Sequence, residues 1–552
     1  MRPLVSAMTS LRDVLIAALK SLLRGKSFLQ ALLAFWSTST AAHEPQDVAP
    51  SKVTATSPAD FLADAERLLL ADISAGRLKE FSRKLKRQFR DGLWSNPACM
   101  LPSYNSQLPS GYEHGQYLAL DVGGSTLRVA LVDLRGRGAS GCVSTIVRMD
   151  SFKISSEVRN LRGTDFFDWM AERIHRTVAG DSEKGHSPDY PLLVGLAWSF
   201  PIEQTSSKGG KLCGMGKGFL ANEGLIGEDL GEIIKLACYR KGLHVELSAI
   251  VNDSSATLLS EAYTNPSTRF GLILGTGVNI AVHLPVTTID QPKYGNRPSS
   301  WHEKASHVIV NTELGMFGKD ILPLTKWDRL LKAAHPRPDF QPLEQLVSGY
   351  YLGEICRLAL LDAIATTGVF GGTVPPSLQT PYSLDTETLS LIEADLSPTL
   401  SSALAVFAAR HPSPVPATVE DMSFLRTLAS HVARRSAAVV AASLFALWEL
   451  KAQAEHEFLC RLPHTSPFVP ETEAELSISD AKTTVAYNGS VIENYPGYRG
   501  HLQAYIDELV AGSRRPQVDG QGGGEVGGGS IALVAARESS LLGAAVALAC
   551  LD

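Results

Sequence analysis

Three short glycine-containing runs, each following a strand-like apolar stretch, have the residue types needed to hold an anion. They are Asp121-Val122-Gly123-Gly124-Ser125-Thr126, Gly275-Thr276-Gly277 and Asn488-Gly489-Ser490. Glycine lets successive backbone N–H groups converge on one point, and a neighbouring hydroxyl adds a donor. A glycine turn after a strand is also the ordinary way to close a hairpin, and neither the P-loop nor the dinucleotide fingerprint is present. Between the first two runs an apolar stretch ends in Val251-Asn252-Asp253. One reading makes Asp253 the cap of a following helix. The other sets it at a strand end, facing a cleft, where it accepts a hydroxyl proton during phosphoryl transfer. That reaction needs positioning, charge neutralisation and a base aimed at the acceptor oxygen.

These residues need a frame. Ser57-Pro58-Ala59-Asp60 reads as a helix start, with Ser57 as cap and Pro58 in the first turn. Period-two patterns over 117–121 and 127–134 predict strands, as do the runs 192–197, 249–252, 270–274 and 483–487. Helical stretches at 166–178 and 429–450 separate them, so the expected class is α/β, with mixed sheets covered by helices. The segment 411–414 (HPSP) reads as a surface loop and the glycine-rich insert 519–530 as a flexible linker. No internal repeat is visible, so 552 residues imply two lobes of one unit.

A charged fraction of 20% and a net charge of −6 give no footprint for nucleic acid. Seven cysteines without a CxxC pair argue against a zinc site or a disulfide framework and fit a reducing compartment. Residues 1–45 stand apart: Leu11, Val14, Leu15, Ala18, Leu19 and Leu22 share a helical face, with Arg12, Lys20, Arg24 and Lys26 adding charge. This suits a mitochondrial or membrane-surface segment, with a loose extension and a secretory signal as alternatives. Residues 46–57 read as a linker.

Several motifs in order carry a resemblance: MLPSY (100–104), LALDVGGSTLRV (118–129), Ser199-Phe200-Pro201, Gly216-Lys217-Gly218-Phe219, Asn252-Asp253, FGLILGTGVN (270–279), NTELGMFG (311–318) and LEQLVSGYYLGEICRL (343–358). Over about residues 58–550 the chain resembles a eukaryotic-type hexokinase, as a divergent member of fungal type. The resemblance implies a two-lobed actin-like ATPase (ribonuclease H-like) fold with a sugar cleft between lobes. It implies an N-terminal region, 58–252, containing the small lobe, and a C-terminal region, 253–552, forming the large one. It further implies ATP:hexose 6-phosphotransfer, with glucose as default acceptor and ATP arriving with Mg2+. Ser199, Phe200, Pro201, Gly216, Lys217, Asn252, Asp253, Asn279, Glu313 and Glu354 match the sugar side, Asp253 as base and Lys217 orienting the sugar. Asp121, Gly123, Gly124, Ser125, Thr126, Arg128, Gly275, Thr276, Asn488, Gly489, Ser490 and Gly543 match the nucleotide side. A cytoplasmic enzyme, associated with mitochondria or a membrane through residues 1–45, is the implied setting.

The departures from the family pattern cluster. Thr126 stands where an Asn is usual, Met215-Gly216 where Trp-Thr is usual, and Asn488 where an Asp is usual. The C-terminal Asp-Gly-Ser-Gly loop reads Glu538-Ser539-Ser540-Leu541. If the missing glycines required positive φ or close approach to nucleotide, Leu541 would clash or force another path. Weakened ATP binding follows as an expectation, and with it an alternative: a sugar-responsive regulator that acts through a protein partner.

Overall fold

The computed structural model describes residues 56–138, 141–179, 187–215, 218–513 and 529–551. The N-terminal segment 1–45 and most of the linker and glycine-rich insert lie outside them. The expected helix start is present: Pro58–Leu70 (α1) is capped by Ser57, whose Oγ accepts from the Asp60 amide at 3.1 Å. Ala75–Ser95 (α2) follows, then a two-residue edge strand, Leu101–Pro102 (β1).

Two sheets carry the rest. The smaller is built from Gly115–Val122 (β2), Thr126–Leu134 (β3), Ser144–Lys153 (β4), Leu192–Trp198 (β5) and Val245–Val251, in the order β4-β3-β2-β5 followed by the last strand. A separate hairpin, Ile202–Gln204 (β6) and Gly210–Leu212 (β7), precedes that last strand, which is β8. The larger sheet contains Thr268–Leu274 (β9), Val278–Pro285 (β10), His307–Asn311 (β11), Lys482–Asn488 (β12) and Ser530–Ala535 (β13), in the order β1-β11-β10-β9-β12-β13. Both have the same plan. Three antiparallel strands come first (β2–β4, β9–β11), and two parallel strands are then added beside the first of them.

Alternation along the strands sets the faces. Leu118 and Leu120 of β2 point to the outer core of the small lobe, with Thr164–Val178 (α3) and Leu230–Arg240 (α4). Ala119 points the other way. In the large lobe, Phe270, Leu272 and Leu274 of β9 face the main core. That core also takes Lys326–Ala334 (α6), Gly349–Thr367 (α7) and the 43-residue helix Val419–Arg461 (α8). Helix α8 extends the expected 429–450 stretch at both ends, and its apolar middle is buried in this core.

Between the two sheets lie two exchanged helices. Asp253–Thr264 (α5) leaves the small sheet after β8 and packs on the large sheet. A Cβ on Gly271 of β9 would come 2.2 Å from the Ser254 carbonyl oxygen. The longer helices that follow α8 are Val469–Ala481 (α9), Tyr498–Ser513 (α10) and Ser539–Ala549 (α11). Helix α11 leaves the large sheet after β13 and packs on the small one, where a Cβ on Gly195 of β5 would meet the Ala544 carbonyl at 2.2 Å. The two helices touch each other across Gly543. Besides the passage from β1 to β2, the chain therefore has two matching crossovers between lobes, at 252–253 and 537–538.

Two local expectations change. His411 is buried and its ring bonds Ser377 at 2.9 Å, so the loop at 411–414 is anchored at its first residue. Ser530, the end of the glycine-rich insert, opens β13 directly.

Candidate functional site

At the first crossover, Asn252 rather than Asp253 caps the helix: its Oδ1 accepts from the Ser255 amide at 2.7 Å. Its Nδ2 is buried without a partner among the described residues, a donor that costs about 1–3 kcal/mol when left unmet. Asp253 is the first helical residue, where its Oδ1 accepts from the Ser254 amide at 2.8 Å. Glu313 shares its environment. Burial pushes the Glu313 carboxyl up, the Asn311 amide pulls it down, and the negative charge of Asp253 pushes it up again.

A chain of amides positions Glu313. Asn279 on β10 donates from Nδ2 to Asn311 Oδ1 at 2.8 Å, and Asn311 donates to Glu313 Oε1 at 2.8 Å. Glu313 itself is left-handed (φ 52°, ψ 51°), a strained conformation for a residue with a side chain, costing about 1 kcal/mol or more. Asn311 was not among the residues expected, although the NTELG motif holds it at a strand end.

Glu354 does not belong here. It is buried, both carboxylate oxygens are taken by Arg357 at 2.6 and 2.7 Å, and the Tyr382 amide donates to it at 2.6 Å. The acid beside the sugar-side strand is Glu344, ten positions earlier in the same motif. Its Oε2 accepts from the amide of Val278, next to Asn279, at 3.1 Å. Gly277 and Gly315 leave room for it: a Cβ on either would come within 2.8 and 3.1 Å of Glu344 atoms.

Among the other sugar-side expectations, Ser199 follows β5 and its amide donates to Val122 O at 3.3 Å. Phe200 is a core residue, its ring 5.1 Å from both Trp198 and Phe219, so its part is to support the neighbouring backbone. Pro201 is exposed. Gly216 and Lys217 lie outside the described residues.

The three glycine runs occupy the strand ends. Gly123 N–H bonds Thr126 O at 3.1 Å to close the first turn, and a Cβ on Gly123 would meet nothing nearer than 3.7 Å. Packing within the protein therefore does not demand glycine there; approach of a ligand backbone or phosphate would. Ser125 is exposed in the same turn, and Thr126 opens β3 opposite Lys153. The second and third runs touch: Gly275 lies against Ser490, and Gly489 (φ 129°) has no room for a Cβ beside Leu274 O. Thr276 O accepts from Tyr350 N at 3.2 Å.

At the second crossover Arg128 joins both halves. It bonds Asp121 through Nε at 2.8 Å and Glu538 through Nη1 at 2.6 Å. Burial raises the Asp121 carboxyl while Arg128 lowers it. Glu538, not Ser539 or Leu541, is the residue at positive φ (49°) in the divergent loop. Leu541 is wholly buried between the lobes, so the anticipated clash with nucleotide gives way to a packing role. Gly543 is likewise needed for packing: a Cβ would lie 2.0 Å from Ala256 O. Asn488 Nδ2 donates to Ala536 O at 3.0 Å, a bond that an ionised Asp, an acceptor only, could not make.

An exposed hydroxyl residue in each of the three runs, a turn with open space over Gly123, and a guanidinium on the adjoining strand suit a polyphosphate. Residues 66–263 match one family model described as Hexokinase, and residues 269–550 match a second with the same description. The chain belongs to the hexokinase family. Hexokinase-1 of Arabidopsis thaliana is 30% identical over 476 residues, 84% of this chain and 89% of that one. A hexokinase of Schwanniomyces occidentalis is 32% identical over 340 residues, 61% and 69% of the respective chains. The structure of hexokinase from Schistosoma mansoni complexed with glucose aligns with a TM-score of 0.69 at 25% identity, covering 89% and 99%. These identities do not separate a fungal type from the others. As a hexokinase, the chain has the two-lobed actin-like ATPase fold and is a hexose-phosphorylating transferase that uses ATP.

Proposed function

We propose that this hexokinase phosphorylates the 6-hydroxyl of glucose, with Asp253 as general base. The observation that carries the reading is the meeting of Asp253 with the Asn279–Asn311–Glu313 chain. Carboxylates and amides fixed by their own hydrogen bonds can make paired contacts to vicinal hydroxyls, and a site built for those contacts rejects water and deoxy analogues. Glu344 replaces Glu354 in the proposed sugar set, beside Ser199, Asn252, Asn279 and Glu313. Lys217 keeps the orienting role proposed from sequence.

On the nucleotide side, the proposed contacts are the 123–125 turn, Thr276, Gly489, Ser490 and Arg128. Mg2+ carried by the nucleotide would neutralise phosphate charge. The protein's own part is to hold the acceptor hydroxyl against Asp253, aim donors at the phosphate oxygens, and exclude water.

The second reading, a sugar-responsive regulator, draws on the altered positions 126, 216, 488 and 538–543. Asn488 and Leu541 have local packing and bonding partners of their own, which supports the enzyme. The test is calorimetry of the chain from residue 46 with glucose, then with Mg-ATP, beside a coupled assay for sugar phosphate. Binding of both with turnover, lowered about 10²- to 10⁴-fold by Asp253→Ala while glucose affinity stays within about tenfold, is expected. Glucose binding with neither nucleotide binding nor turnover would establish the regulator. Residues 1–45 are proposed to hold a cytoplasmic enzyme at a mitochondrial or other membrane surface.

A further inference from the structure

Arg159 closes the four-residue helix Ser156–Arg159 after β4 and contributes to none of the contacts assigned above. Three links converge on it. Its Nη2 donates to Gly124 O, in the first glycine turn, at 3.0 Å. Its own carbonyl accepts from the Leu220 amide at 2.9 Å, three residues beyond Lys217. Its guanidinium lies 5.9 Å from the centre of the Phe219 ring, and that ring meets Phe200, next to Ser199, at 5.1 Å. The Nε is buried without a partner among the described residues, so the side chain is held by these links rather than by an ion pair of its own.

The bond to Gly124 has a directional consequence. In a planar trans peptide the carbonyl and the next N–H point opposite ways. Fixing Gly124 O toward Arg159 therefore fixes the aim of the Ser125 N–H on the other side of the turn. A fork of five donors can hold such an orientation; an ammonium on a flexible stem holds it less well.

Resting on the proposed enzyme function, we infer that Arg159 is a positioning residue that couples the hexose segment around 218–220 to the phosphate turn at 123–125. Ordering of the 218–220 segment by sugar sets Arg159, and Arg159 sets the turn, so that glucose tightens the binding of nucleotide. Arg159 touches neither substrate.

The test measures binding of a non-hydrolysable ATP analogue with Mg2+ by calorimetry, with and without saturating glucose, on the full chain. Wild type, Arg159→Ala and Arg159→Lys are compared, with kcat and KM for both substrates. Glucose should tighten analogue binding in wild type. In Arg159→Ala that enhancement should vanish and kcat/KM for ATP should fall on the order of 10- to 100-fold, the loss of one charged hydrogen bond. The affinity for glucose alone should stay within about threefold, and Arg159→Lys should recover part of the coupling. Equal enhancement in wild type and Arg159→Ala, or in wild type and Arg159→Lys should the alanine variant not fold, overturns the inference. So does a wild type whose analogue binding ignores glucose while turnover proceeds. A wild type that binds glucose but neither analogue nor ATP overturns the enzyme reading along with it, which tells the two failures apart.

Discussion

At the scale of single residues, two acids ten positions apart have different partners. Glu354 forms a buried fork with Arg357, and removing one partner of such a pair costs about 3–5 kcal/mol. Glu354→Ala should therefore lower stability by that amount in urea denaturation. Glu344→Gln keeps an oxygen for the Val278 amide but loses a charge, and should weaken glucose binding on the order of 10- to 100-fold with stability little changed. Reversal of these two patterns would return Glu354 to the sugar site. The sequence reading took Glu354 and passed over Glu344, since one motif contains both. The Glu354–Arg357 spacing of three on a helix was a signal of mutual pairing. Glu393 gives a pH dependence: burial raises its carboxyl to about 7, and its partner is the Tyr495 hydroxyl at 2.5 Å. Between the ordinary value of 4.5 and about 7 the folded state holds more protons than the unfolded one, so stability falls as pH rises through that window. Glu393→Gln should flatten the fall, measured as denaturation midpoints at pH 5 and pH 8.

At the scale of elements, strands were legible because alternation survives in β3 and short apolar runs mark β2 and β9, and the Ser57 cap because its chemistry is local. What sequence did not reveal was where helices α5 and α11 dock. Both are rich in small residues, and nothing in a helical pattern says which sheet receives either. Gly543 was read as a nucleotide contact for the same reason. The glycines at 195, 271 and 543 mark the docking, each where another backbone approaches within contact distance of a missing Cβ. Gly195→Ala and Gly543→Ala should each destabilise by about 1–3 kcal/mol or more through overpacking, seen as a lower thermal midpoint. Unchanged midpoints in both would mean that α11 sits elsewhere.

At the scale of the whole molecule, the five strands of the small sheet and five of the six in the large one share one order although the sequence shows no repeat. Topology outlasts similarity because alternation and turn chemistry, not residue identity, specify it. The proposed membrane segment belongs to this scale as well. Deleting residues 1–45 should move the protein to the soluble fraction on cell fractionation with turnover intact; continued membrane association would place the anchor in the folded body. The exchange of helices also bears on synthesis. The small sheet has all its strands once Val251 leaves the ribosome, yet the helix that covers Ala119, Ala130 and Ala197 begins only at Ser539. At about 5–20 residues per second, the nascent chain shows an uncovered sheet face for tens of seconds. Until that helix arrives, such a chain is a natural client for chaperones that shield apolar surface.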